Sequence, residues 1–68
     1  MKAKKQVLFR GKVIELDRGY FFADLTVQFK NLEIRMVVPV SMIDEWGIKV
    51  GDKVYVFIDG KDTYVFKR

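Results

Sequence analysis

The sequence contains no cysteine and no histidine, and only one proline and five glycines in 68 residues. Without cysteine there is no disulfide framework and no thiolate metal site. Without histidine the commonest general base and the commonest metal ligand are both missing. Stability must then come from packing and association. Long apolar runs are also missing: a stretch such as Val54 to Ile58 is far too short to cross a bilayer, so no membrane insertion is expected. The charged segment Met1 to Gln6 is not followed by an apolar stretch of signal-peptide length, which reads as mature sequence and a cytoplasmic location. No Gly-x-Gly-x-x-Gly or other phosphate-cradling loop occurs. Ser41 has no histidine to activate it, which excludes a nucleophilic triad as usually built, and no motif supports a serine-lysine pair. The chain is expected to bind rather than to catalyse.

What is present is apolar and basic. Half of the residues are apolar and 15% are aromatic, more than one core of this size can hide. The surplus is expected at an interface between copies, in a homo-oligomer. The length allows one domain over residues 1–68, with residues 1–5 as a basic N-terminal segment. Thirteen basic against nine acidic residues give a net charge of +4. That balance suits an anionic partner, either a small oxyanion or a nucleic-acid backbone, with solubility as the plain alternative. Lys2, Lys4 and Lys5 allow the same choice between an anion-gripping arm and a solvated tail.

Turn signals at Asp17 to Gly19, Lys30-Asn31, Gly47, Gly51-Asp52 and Asp59-Gly60 divide the chain at short intervals, which predicts a small barrel or sandwich. Leu25, Val27 and Phe29 alternate with polar residues, as do Leu32, Ile34 and Met36, and the apolar parity changes across Lys30-Asn31. A two-residue hairpin produces this change, and it sets Phe29 against Leu32, Val27 against Ile34 and Leu25 against Met36. Asn31 is the turn residue best able to take a positive φ. Val7 to Leu16 predicts a first strand bent at Gly11. Pro39 ends a strand, Ser41 is expected to cap a helical turn over Met42 to Trp46 through Ser-x-x-Asp, and Gly47 stops it. Lys53 to Ile58 and Thr63 to Lys67 complete an all-β fold of five antiparallel strands with one short helical turn.

The acidic residues read as structural: Asp44 and Glu45 against the helix dipole, Asp52 and Asp59 in turns beside glycine. Tyr55, Phe57, Tyr64 and Phe66 on the last two strands offer a base-stacking platform, with Lys53, Lys61, Lys67 and Arg68 nearby for phosphates. Core or interface packing is the preferred reading, because aliphatic residues interleave with these rings.

Gly11-Lys-Val-Ile-Glu-Leu, Ala23-Asp-Leu-Thr-Val, Leu32 to Val38, and Ser-Met-Ile-Asp-Glu-Trp-Gly-Ile-Lys-Val-Gly-Asp-Lys-Val at 41 to 54 together resemble the molybdate-binding Mop or TOBE domains over nearly the whole chain. The resemblance implies an OB-like five-stranded antiparallel barrel, oligomeric, holding molybdate or tungstate at subunit interfaces for storage, sensing or transport, with an ABC transporter as a further partner. The family's Ser-x-Arg-Asn segment falls on Ala3, Lys4, Lys5 and Gln6, where the serine is lost and lysine replaces the bidentate arginine fork. Its Lys-Ala-Thr segment falls on Lys61-Asp62-Thr63 if Asp59-Gly60 is an insertion; without it Asp59 takes the lysine's place, beside a dianion it would repel. Ser41 lies one position before the family's serine. The implied oxyanion ligands are Lys5, Gln6, Ser41, Lys61 and Thr63. Pro39 to Val54 also resembles the second half of AbrB-type DNA-binding regulators, and the Gly-Asp-Lys-Val segment resembles RNA-binding OB domains of the translation-initiation type. Both resemblances make nucleic acid the competing partner.

Overall fold

The computed structural model describes residues 5–67. Its elements are β1 (Gln6–Arg18), β2 (Phe22–Phe29), β3 (Leu32–Pro39), α1 (Val40–Trp46), β4 (Lys53–Asp59) and β5 (Asp62–Phe66). They form one sheet in the order β3-β2-β1-β4-β5, with every neighbouring pair antiparallel. The central hairpin has the register that its alternation dictates: Phe29 opposite Leu32, Val27 opposite Ile34, Leu25 opposite Met36. Lys30, not Asn31, carries the positive φ, 56°, as the first of the two turn residues. The edge strands β3 and β5 approach each other, but among the described residues no ladder joins them, so hydrogen bonds do not close the sheet.

One face of the sheet is the core. Val13, Leu25, Val27, Val38, Val54, Val56 and Val65 are buried there, and α1 covers the open end with Ile43. β1 serves both halves: its first part pairs with β4, its second with β2, and Lys12 lies between Gln28 and Lys53 where the two ladders meet. Gly11, where a bend is expected, stays in register opposite Val54. A Cβ there would lie 2.5 Å from Val27 Cγ1 and 2.6 Å from the Gln28 carbonyl oxygen, so glycine is required by close approach of β1 to β2. The register shift falls between Val13 and Glu15, leaving Ile14 as the extra residue.

The helix departs from expectation at its start. Pro39 holds the N-cap position with no side-chain bond, and Ser41 lies inside the first turn. Position explains the failure, because a capping side chain must stand just outside the helix to reach its free N–H groups. The Val40 N–H donates instead to the Phe21 carbonyl at 2.8 Å. Asp44 and Glu45 consequently fall in the second half of α1, away from the positive end of its dipole, and Asp44 accepts from Arg18 at 2.6 Å. The stop is as expected: Gly47 is left-handed at φ 59°, and the Ile48 N–H donates to the Ile43 carbonyl at 3.0 Å. No helix among the described residues is long and apolar enough to cross a membrane.

Candidate nucleic-acid interface

Residues directly opposite in a ladder share a face, so the registers fix what the outer surface carries. Across β1, β4 and β5 one row is Leu8, Phe57 and Tyr64, and the next is Arg10, Tyr55 and Phe66. The valines between these rings turn inward, and the four aromatic residues of the last hairpin therefore lie outside the core. The Tyr55 and Phe66 rings stack with centroids 5.6 Å apart, and Phe57 and Tyr64 stack at 6.2 Å. The guanidinium of Arg10 lies 5.7 Å from the Tyr55 ring centre, and Trp46 reaches Phe66 at 6.2 Å from the helix. A continuous ladder of π-faces thus runs from Arg10 to Trp46. Tyr55 and Phe66 are half-buried, whereas Trp46 at the end of the ladder and Tyr64 in the neighbouring row are exposed.

Cations border it. Arg10, Lys12 and Lys53 are exposed, and Lys12 and Lys53 are neighbours across β1 and β4. Lys67 donates to the Gly47 carbonyl at 3.1 Å and to Asp52 at 3.2 Å. The backbone N–H of Lys49 and then the Lys67 ammonium hold the Asp52 carboxyl below the usual carboxylate range. This places a cation at the helix end next to Trp46.

Beyond the shift at Ile14 the same outer face is acidic. Asp17 stands directly opposite Asp24, and with Glu15, Thr26 and Arg35 they line a depression of about 430 Å³. Among the described residues no cluster of acidic groups is able to hold a metal ion.

The residues implied as oxyanion ligands are partly brought together. The Gly60 N–H donates to the Lys5 carbonyl at 3.1 Å, Gln6 pairs with Asp59, and Lys61 stands in the turn that follows, so these three reach one end of the sheet. Thr63 pairs with Ile58 on the inward face, opposite in sense to Gln6. Ser41 is exposed on α1, a separate element. Asp59 is a strand residue facing Asp62 rather than a turn residue, and its Oδ1 is buried without a hydrogen-bond partner. Ala3, Lys2, Lys4 and Arg68 lie outside the described residues.

Sequence reasoning missed Leu8, Arg10 and Lys12 as surface residues acting with the last hairpin. The alternation of Leu8, Arg10 and Lys12 with Val7, Phe9, Gly11 and Val13 puts the three on one face, and the β1–β4 register sets that face beside the last hairpin. Comparison of the chain with protein-family models, with curated proteins and with solved structures returned no significant match.

Proposed function

We propose that this chain is a non-catalytic binding module of the OB type, taking single-stranded nucleic acid on the outer face of β1, β4 and β5. The observation that carries the reading is the ring ladder itself: two cross-strand aromatic pairs on the outside of a small sheet, with Arg10, Lys12 and Lys53 beside them. Stacking on aromatic faces together with cations that track a phosphate backbone is the sequence-tolerant way of holding a single strand. The strand order, with a helix between β3 and β4, fits an OB-type arrangement, a partly open five-stranded barrel. The net charge of +4 acts in the same direction.

One observation favours a second reading. The backbone of Lys5 and Gln6 runs beside the turn that carries Lys61, which supports a molybdate or tungstate site of the Mop or TOBE kind in a homo-oligomer. Asp59 and Asp62, paired at the same turn, oppose a dianion there.

The test is a fluorescence-anisotropy titration with a labelled single strand of about ten nucleotides and with the duplex of the same sequence. It is run beside thermal melts with molybdate and tungstate. The proposal expects tighter binding of the single strand and no oxyanion-induced shift. A rise in melting temperature with either oxyanion, blunted by Lys61→Ala and without strand binding, replaces it by the second reading.

A further inference from the structure

The ring ladder ends in a groove between α1 and β5, lined by Met42, Glu45, Trp46, Tyr64, Val65 and Phe66, with a volume of about 220 Å³. Its lining is aromatic and aliphatic except for Glu45, an exposed residue and the one charged residue among the six. Trp46 is 40% exposed and Tyr64 46%, so both present ring surface to the groove's open side. The groove is also fixed in place. Met42 accepts a hydrogen bond at its sulfur from the Val65 N–H at 3.2 Å, tying α1 to the strand edge, and Lys67 ties the helix end to the following strand.

Resting on the single-strand reading above, we infer that this groove receives one unstacked base, and that Glu45 makes it select guanine. A strand stacked along Tyr64 and Phe66 meets Trp46 at the end of the ladder, where a flat heterocycle finds aromatic faces and a sulfur-containing wall. A carboxylate has only acceptors, and it matches the base edge that offers parallel donors. Guanine offers N1–H and the N2 amino group side by side. Adenine and cytosine offer only their amino groups, and thymine and uracil offer N3–H flanked by two carbonyl oxygens that the carboxylate repels. Lys67, held at the Gly47 carbonyl next to Trp46 and paired with Asp52, offers a cation for the flanking phosphate.

Trp46 is the only tryptophan in the chain and reports directly on this groove. The experiment measures its emission and the Kd for a thymidine pentamer, the same pentamer with one central guanine, and the same with hypoxanthine in place of guanine. The guanine pentamer is expected to quench Trp46 and to bind about tenfold tighter than the thymidine pentamer, as a bidentate contact predicts. Hypoxanthine, lacking the N2 amino group, loses most of that gain. Glu45→Gln removes the preference: the guanine pentamer loses its gain, and relief of the repulsion from the thymine carbonyls raises thymidine binding. Equal affinities for all three pentamers, or unchanged Trp46 emission on binding, overturn the guanine groove and leave the single-strand reading standing. Absence of binding by every pentamer at low salt overturns both.

Discussion

Along β1 the outward residues change from Leu8, Arg10 and Lys12 to Glu15 and Asp17, and the neighbouring strands change with them. Tyr55, Phe57, Tyr64 and Phe66 flank the first group; Asp24 faces the second. The boundary coincides with the register shift at Ile14. In an unbroken strand the side opposite Val13 would take Ile14 and Leu16, and Glu15 and Asp17 would point into the core. The extra residue turns Leu16 inward and the carboxylates outward. A single bulge therefore separates a cationic, aromatic end from an acidic one on the same sheet face.

Gly11 is where this arrangement breaks most easily. Gly11→Ala places a methyl against Val27 and the Gln28 carbonyl, and an overpacking cost of about 1–3 kcal/mol is expected. A thermal melt should show a drop of roughly 4–8 °C for each kcal/mol in a domain of this size. Tyr64→Ala acts on binding instead of folding: its ring is half exposed, and losing one stacked base should weaken single-strand affinity about tenfold. Val37→Ala, more exposed than Tyr64 but at the acidic end, should leave that affinity unchanged.

Charge sharpens the same contrast. Arg10→Gln and Lys12→Gln should each reduce the salt slope of strand binding by about 0.7. Asp17→Asn removes a directly opposed pair of like charges and should stabilise the fold by about a few tenths of a kcal/mol in a denaturant titration, without changing that slope. The smallest expected effect concerns acid. Asp44, held low by Arg18, and Asp52, held low by the Lys49 N–H and Lys67, have folded values below their unfolded ones. Their stabilisation is complete above about pH 4 and is lost as pH falls through the lowered folded values. Asp52→Asn should flatten the fall in melting temperature below that point and change little at neutral pH.

Much of this was legible in the chain. Parity across Lys30-Asn31 fixed the central register, and Gly47 marked the helix stop, because both depend on neighbours close in sequence. The two ends of the molecule were less legible for reasons of distance. Whether Ser41 caps α1 turns on the Val40 N–H finding the Phe21 carbonyl, a contact across the fold. The partnership of Arg10 with Tyr55 and Phe66 depends on how β1 registers on β4, which no local pattern reveals. The position of the bulge is similar: glycine at position 11 draws attention, but the extra residue is Ile14, which has no distinguishing chemistry of its own.

Single-strand binding at the cationic, aromatic end of the sheet is the proposal on which the other expectations depend. The most direct measurement is the affinity of a labelled single-stranded oligonucleotide between about 50 and about 200 mM salt. With Arg10, Lys12 and Lys53 each neutralising a phosphate, log K should fall against log salt with a slope of about −2. No binding at the lowest salt, or an affinity indifferent to salt, would contradict it.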